Sequence, residues 1–521
     1  MVRLMKRSNV PDGCCGSWLC ESCPGSGLSR RNFLARAGSV SASSLALPPA
    51  RAQSRAKEPN RQQPIQTPLK VQPVFTYLLY KRRQATSWRS WGGIMTEEQA
   101  AAEQERIRRE LAAMSATAGF PLQILPLVTV LNPEQAAVAK GDHDVLLLYP
   151  PGMVRVQLLE ALTLPGRWNL MFLRHRSGPV YNWYENVHCG FLRRGTDAFK
   201  QTGINARDIV VDRVDELLWR LRALYALKNT SGKRVVAIGG AWQRVGGGPN
   251  DGLAAAREQW KLDLRTVPYP GLGERIKKAR QDDALVKRCA READRYLKQK
   301  GTTLETSRDF VQKAFVLTEV LRDLLDEAQT DCLTVNSCMG AIMPVSETTA
   351  CLPLSILNDE GYTAFCQGDF VVIPSGVLLH YLSGKPVFLN DPTFPHDGVM
   401  TLAHCTAPRR MDGERNEPAR IMTHFESDYG AAPKVEMRKG QRITNLVPDF
   451  ASRRWLGVEA DILASPFMPI CRSQIDVQIR GDVDRLNEET KGWHWMTCYG
   501  SHLRETGYAL SKLGIGWLTI S

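Results

Sequence analysis

The sequence predicts an α/β protein in which two parallel-sheet units precede a C-terminal region of mixed helices and strands. Two rounds of alternation between short apolar runs and amphipathic stretches predict the first two units, because strands that alternate with helices form parallel sheets covered on both faces. After residue 420, short strands separated by turns dominate. The 521 residues, 43% hydrophobic and 23% charged, suffice for about two to four globular domains.

Residues 70–200 are predicted to form the N-terminal α/β domain. It opens with a strand, and Thr96-Glu-Glu-Gln then begins a helix with a capping-box pattern. Strands are predicted at 71–80, 122–130, 145–149 and 168–173, and helices at 100–118, 133–139 and 154–162. Each helix thus has the position of a crossover between parallel strands.

Residues 201–335 are predicted to form a second α/β domain, and residues 336–521 a C-terminal domain. The second domain has predicted strands at 209–211, 234–238, 262–268 and 332–335, and predicted helices at 214–227, 274–300 and 304–329. The C-terminal domain has predicted helices at 371–382 and 504–513 and a final strand at 516–520. Glycines follow the strand at 234–238 without spelling the dinucleotide-binding pattern, so a loop between layers is the better interpretation.

The N-terminus is predicted to be a twin-arginine signal peptide spanning residues 1–52. Arg30 and Arg31 precede a short, weakly apolar stretch at 35–47, and an Ala-Arg-Ala sequence ends at Ala52 as a cleavage site. Residues 53–69 are rich in Gln, Arg, Pro and Lys and are predicted to be a linker. We therefore expect export to the periplasm by the twin-arginine machinery, with no stable membrane span after cleavage.

The net charge of +13 divides between this leader and the rest of the chain. The leader holds seven basic and two acidic residues, which leaves 60 basic and 52 acidic residues, a net charge of +8, in the remainder. Basic and acidic residues are interspersed through residues 70–521 without a basic stripe. This pattern disfavours nucleic acid as a partner.

Several short motifs occur in the C-terminal third: Leu-Ser-Ile-Leu-Asn-Asp-Glu-Gly at 354–361, Cys-Gln-Gly-Asp at 366–369, Leu-Ser-Gly-Lys-Pro-Val-Phe at 382–388, Ala-His-Cys at 403–405, and His-Trp with Tyr-Gly-Ser-His at 494–502. Their order resembles that of the L-fucose and L-arabinose isomerase superfamily, closest to its smaller fucose-isomerase-like members. The resemblance implies two Rossmann-like domains followed by a C-terminal domain with a β-barrel. It also implies aldose–ketose isomerisation of a small sugar and a divalent cation, commonly Mn²⁺.

Matching positions assign roles to individual residues. Asp369 matches the acidic metal ligand that also transfers the proton, and His494 matches the late histidine ligand. Glu347 is the candidate for the earlier catalytic and metal-binding carboxylate. Gln367, where relatives often have Glu, and His404 are the candidate substrate-binding residues in these motifs. Moving a proton between adjacent carbons requires a base, an acid and a group that stabilises the enediolate oxygens.

Two alternatives remain open from the sequence. Trp88, Arg89 and Trp91 follow the first strand, where they either stack on a sugar ring or contribute to a homo-oligomer contact. The protein is an isomerase, or a non-catalytic carbohydrate-binding or sensing protein on the same fold, or an enzyme of another metal-dependent sugar reaction such as epimerisation or elimination. An amide at Gln367 coordinates through oxygen but is not a base, which motivates the second alternative.

Overall fold

A computed structural model describes residues 66–79, 84, 92–152, 154–192, 203–242 and 251–521. These residues belong to one compact unit, 62–521. Three parts of the sequence prediction lie outside the described residues. They are the signal peptide with Arg30, Arg31 and Ala52, most of the linker, and the residues Trp88, Arg89 and Trp91.

The first sheet is parallel and uses the N-terminal strands. Its order is β2-β1-β4-β5-β6, with β3 beside β1. The strands are β1 (Leu69–Phe75), β2 (Leu122–Ile124), β3 (Val128–Thr129), β4 (Val145–Tyr149), β5 (Trp168–Leu173) and β6 (Ile209–Val211), and the helices are α1 (Glu97–Ala116), α2 (Val156–Leu162), α3 (Trp183–Leu192) and α4 (Val214–Thr230). Thr96 caps α1 with the expected capping box, in which the Gln99 side chain accepts from the Thr96 N–H.

The second sheet is also parallel, with the order β11-β10-β7-β8. Its strands are β7 (Arg234–Ile238), β8 (Asp263–Val267), β10 (Cys332–Val335) and β11 (Thr363–Cys366). The helices between them are α5 (Asp251–Glu258), α6 (Tyr269–Gln281), α7 (Asp283–Leu297), α8 (Arg308–Ala328), α9 (Met343–Ser346) and α10 (Cys351–Asp359). The chain leaves β7 toward β8 and returns on the other side of β7 at β10, so a topological switch point lies between β7 and β10.

A closed six-stranded β-barrel follows, with the cyclic order β16-β19-β12-β13-β18-β17. Its strands are β12 (Phe388–Pro392), β13 (Val399–His404), β16 (Arg442–Pro448), β17 (Arg454–Ala464), β18 (Ser473–Ile479) and β19 (Trp495–Tyr499), and β20 (Gly516–Ile520) pairs with β17 from outside. The barrel interior is apolar and includes Trp495, which is fully buried, whereas Trp455 stacks on Trp260 in the neighbouring core cluster. The predicted α/β class, the parallel sheets and the β-barrel are therefore confirmed.

The remaining elements connect these sheets. β9 (Thr302–Leu304), β14 (Ala419–His424) and β15 (Tyr429–Val435) form a small mixed sheet, and the last helices are α11 (Ile373–Ser383), α12 (Val483–Glu489) and α13 (Leu503–Ser511). The apolar helix α11 is almost completely buried and packs against α4 and β19. Among the described residues, no single helix is long and apolar enough to cross a membrane. One pair of segments, 338–346 and α10, has the length and composition of a membrane span when taken together, but the two are bent by 90° relative to each other.

The structure differs from the sequence prediction at three places. The predicted strand at 122–130 is two short strands separated at Pro126, which has no N–H for a sheet ladder. The predicted helix at 274–300 is two helices, because the Asp282 carboxylate accepts from the N–H groups of Ala284 and Leu285 and begins a new helix. β6 pairs with β5 and β11 with β10, so the chain changes sheets after about residue 211 and residue 366 rather than at 200 and 335.

Candidate active site

The candidate site lies where the carboxyl ends of the second sheet meet the barrel. Trp242 follows β7, Asn336 follows β10, and Gln367 follows β11, and all three line one cavity of about 360 Å³. The barrel contributes Asp391 near the end of β12 and His404 at the end of β13. Ligands of open parallel sheets bind at this edge and at a switch point, so the cavity has the expected position for a functional site.

Two consecutive left-handed residues shape the turn after β11. Gln367 has φ 69° and Gly368 has φ 63°. A Cβ at position 368 would lie 2.8 Å from the Gly240 carbonyl oxygen, which explains why glycine occupies it. The Trp242 N–H donates to the Gly368 carbonyl at 2.8 Å, which ties this turn to the end of β7. The turn directs Gln367 to the cavity and leads into Asp369.

Asp369 and His494 are in direct contact. The Asp369 Oδ2 and the His494 Nδ1 are 2.7 Å apart, and the Asp369 Oδ1 accepts from the Val371 N–H at 3.0 Å. Both side chains are buried, with His494 completely inaccessible and Asp369 2% exposed. Since a carboxylate only accepts, the His494 Nδ1 must carry the proton of this hydrogen bond.

Asp391 lies on the other side of the His494 ring. Its Oδ1 is 3.3 Å from the His494 Nε2, but the two atoms do not form a hydrogen bond, and neither has a hydrogen-bond partner among the described residues. The Asp391 side chain is 36% exposed and lines the cavity, whereas His494 does not reach it. The Asp369–His494–Asp391 chain therefore connects a buried carboxylate to a carboxylate that a ligand in the cavity can contact.

His404 is a second titratable group at the cavity. Its Nδ1 is 2.9 Å from the Thr406 hydroxyl oxygen, and the ring is 4% exposed. Burial lowers the pKa of His404 because the imidazolium form loses its hydration. A neutral His404 is therefore available at the cavity as a hydrogen-bond donor or acceptor at neutral pH.

Glu347 has a different environment from the one that the sequence predicts. Its carboxylate pairs with Arg280 at 2.6 Å and with Lys313 at 2.8 Å, on α6 and α8. The hydrogen bonds from Lys313 and Arg280 lower the pKa of Glu347. Among the described residues, no hydrogen bond or ion pair joins Glu347 to Asp369 or His494. Two cationic partners at the carboxylate compete with a metal ion, so the structure does not place Glu347 with the other two predicted ligands.

The predicted metal-ligand set is not assembled. Asp369 accepts a hydrogen bond from the Nδ1 of His494, whereas Glu347 pairs with Arg280 and Lys313, so the three predicted ligands do not surround one point. In the part of the chain that the structure describes, no group of three or more His, Cys, Asp or Glu side chains is arranged to hold a metal ion. The Mn²⁺ site stays a prediction that the positions of Glu347, Asp369 and His494 do not support.

The structure adds functional candidates that the sequence motifs did not single out. Asp391 lies near the end of β12, between the motifs at 382–388 and 403–405, and only its contact with His494 distinguishes it from an ordinary strand-end aspartate. Trp242 follows the glycines after β7 and contacts the His494 ring edge, with ring centroids 6.1 Å apart. Both contacts join residues more than 100 positions apart, so no local sequence pattern could have shown them.

Comparison with protein-family models gives no match, and comparison with curated proteins gives no significant match. The resemblance to the sugar isomerases therefore stays a prediction from the short motifs.

Proposed function

We propose that the protein is an enzyme that interconverts the aldose and ketose forms of a small sugar by proton transfer in the cavity. The observation that carries this proposal is the Asp369–His494–Asp391 chain, which ends at the cavity wall. An unprotonated Nε2 gives no hydrogen bond to Asp391, which leaves that carboxylate available as a general base. The motif resemblance to sugar isomerases supports the same reaction class.

The cavity suits a small polar ligand. Its volume of about 360 Å³ lies near the lower end of the range of about 300–1,000 Å³ for small-molecule sites. Hydroxyl and amide groups of Ser337, Asn336, Thr349 and Gln367 line it. Such groups donate to and accept from sugar hydroxyls, and the amide of Gln367 supplies both functions from one side chain.

The proposed reaction uses groups of this chain only. Asp391 removes the proton from C2 of the open-chain aldose and returns it to C1, which passes the sugar through an enediol. Asp369 holds the His494 ring by its Nδ1–H, which leaves the unprotonated Nε2 facing Asp391 at 3.3 Å. Neutral His404 donates to the carbonyl oxygen and then carries a proton between O1 and O2. A neutral imidazole suits that role because it can both donate and accept.

We derive no step through a metal ion, because Glu347, Asp369 and His494 do not form a common ligand set. A divalent cation, which the motif resemblance implies, remains a proposal that the assay addresses directly. The rate of the same reaction is therefore measured in the presence of a chelator and again after addition of Mn²⁺.

The deciding experiment measures deuterium exchange. The purified protein is incubated with a panel of aldopentoses and aldohexoses in deuterated water, and NMR spectroscopy records deuterium at C1 and C2. We expect exchange and a ketose product with one or more sugars. Asp391→Asn should lose both, because an amide is not a base. Asp397→Asn is the matched control: it removes the same charge on the β12–β13 hairpin at an exposed residue with φ 50°, which Asn adopts readily.

Other outcomes separate the alternatives. Saturable sugar binding without exchange would favour the non-catalytic carbohydrate-binding protein. Exchange at a carbon other than C1 or C2, or loss of water from the sugar, would favour epimerisation or elimination. Equal exchange rates in Asp391→Asn and Asp397→Asn would exclude Asp391 as the base.

A further inference from the structure

Five cysteines line the same cavity, and three of them contact one another. Cys351 begins α10, Cys405 directly follows β13, and Cys471 lies in the segment before β18. The three pack together with Ala432 in a small apolar cluster. The Cys405 sulfur is within hydrogen-bonding contact of both the Cys351 and the Cys471 thiols. These residues are not part of the Asp369–His494–Asp391 chain.

The surroundings of Cys405 favour its thiolate form. The Arg472 N–H is 3.4 Å from the Cys405 sulfur and donates to it, and the Cys351 and Cys471 thiols are further donors. His424 lines the same cavity and interacts electrostatically with this sulfur. The thiol donors, followed by His424, lower the pKa of Cys405 well below its ordinary value.

His424 is positioned to carry the matching positive charge. It ends β14, and its Nδ1 is 3.1 Å from the Ser427 hydroxyl oxygen. The Glu426 carboxylate is 3.9 Å from its Nε2, and both residues line the cavity. Burial opposes the imidazolium form, but the neighbouring Cys405 raises the pKa of His424 above its ordinary value. A thiolate and an imidazolium therefore stabilise each other at the cavity wall.

Two buried cysteines outside the cavity, Cys332 and Cys498, have a different environment. Burial raises the pKa of Cys332 and of Cys498 to about 12, and neither lines the cavity. A thiol is a poor nucleophile, so these two residues should be inert at neutral pH. They serve as internal references for Cys405.

We propose that Cys405 and Cys471 form a peroxide-reactive dithiol, in which Cys405 attacks a small hydroperoxide in the cavity and Cys471 resolves the product as a disulfide. Cys471 is preferred over Cys351 as the resolving thiol because it lies in a segment without helix or strand, whereas Cys351 is fixed in the first turn of α10. The proposal does not depend on sugar chemistry.

The chemistry balances with hydrogen peroxide as the oxidant. The Cys405 thiolate attacks one peroxide oxygen, an S–O bond forms, the O–O bond breaks, and the departing oxygen takes the proton of His424 to leave as water. The Cys471 thiol then attacks the sulfenic acid, an S–S bond forms, the S–O bond breaks, and a second water leaves. Two thiols are oxidised by two electrons in total, and the peroxide is reduced by two. A small thiol reductant restores the dithiol by exchange.

The test treats the purified full chain with hydrogen peroxide and maps its peptides without reduction. We expect a disulfide between the Cys405 and Cys471 peptides, while Cys332 and Cys498 remain thiols. In Cys471→Ser, a sulfenic-acid probe should label Cys405, because no resolving thiol remains. Before oxidation, an alkylating reagent at pH 7 should modify Cys405 more than about tenfold faster than Cys498, since each pKa unit changes the thiolate fraction about tenfold.

Cys498→Ser is the matched control, because it replaces a buried thiol in the barrel outside the cavity. It should retain the disulfide, and the melting temperatures of both variants show whether they fold. Alkylation of Cys405 no faster than of Cys498, or no disulfide in the folded wild-type chain, would overturn the proposal. A disulfide between Cys405 and Cys351 instead would overturn the assignment of Cys471. None of these readouts requires a sugar, so failure here is distinguishable from failure of the proposed isomerase.

Discussion

Replacing Asp369 by Asn tests the Asp369–His494–Asp391 chain most directly. The carboxylate accepts two hydrogen bonds, one from the Val371 N–H and one from the His494 Nδ1–H. Asn has only one side-chain oxygen, so it can serve one of these donors. If that oxygen keeps the Val371 N–H, the amide NH₂ faces His494, and the ring must place its proton on Nε2. The His494 Nε2–H then donates to Asp391, which makes Asp391 a weaker base.

The size of the effect follows from these contacts. Loss of one buried hydrogen bond to a charged group costs about 1.5–3 kcal/mol. Unfolding entropy of about 2.1 cal/mol/K per residue gives about 1 kcal/mol/K over residues 62–521, so the melting temperature should fall by about 2 °C. Loss of a general base through the wrong tautomer should cost more, about 10²–10⁴-fold in turnover.

The assay combines two measurements. NMR spectra of protein labelled with ¹⁵N-histidine report the tautomer of His494, and deuterium exchange into the sugar reports turnover. The control is Asp359→Asn, which makes the same substitution away from the cavity. The Asp359 carboxylate also accepts from backbone N–H groups, those of Arg409 and Arg410, each at 2.7 Å. An unchanged His494 tautomer together with turnover within threefold of wild type would refute the reasoning.

Three further predictions concern other parts of the chain. Gly368→Ala should destabilise the protein by about 1–3 kcal/mol in thermal unfolding, and more than Gly384→Ala, because both have positive φ but only position 368 also meets neighbouring atoms within 4 Å. Burial raises the pKa of Asp359 to about 7; the folded state therefore holds this proton more tightly than the unfolded state. Stability should fall as pH rises from about 4 to about 7, by at most about 4 kcal/mol, and Asp359→Asn should lose this dependence in denaturant titrations across that range. Replacing Arg30 and Arg31 together by Lys should retain the precursor in the cytoplasm, and cell fractionation that still finds mature protein in the periplasm would contradict the predicted signal.

Local patterns predicted most of the elements. The strands at 145–149, 168–173, 209–211, 234–238, 332–335 and 516–520 have the predicted bounds, because short apolar runs between turn residues define a buried strand by themselves. The capping box at Thr96 placed the start of α1 for a similarly local reason. The prediction failed where a single residue interrupts a run, as Pro126 and Asp282 do.

The sequence of a strand did not predict which sheet the strand joins. β6 is three residues long, and its own sequence does not say whether it pairs with β5 or with β7. The same holds for β11, whose four residues complete the second sheet beside β10. Pairing is decided by which edge is free and which faces bury each other, and both depend on the rest of the fold.

The sequence by itself determined the α/β class, and its motif resemblance marked Asp369, Gln367, His404 and His494 as site candidates, because each occupies a position in one of the short motifs. Only the tertiary structure decided which side chains meet. It joined Asp369 to His494 across 125 positions, added Asp391, grouped Cys351, Cys405 and Cys471, and paired Glu347 with Arg280 and Lys313 instead. The reason is physical: hydrogen bonds and ion pairs act over a few ångströms of space, and only the folded chain brings distant positions within that range.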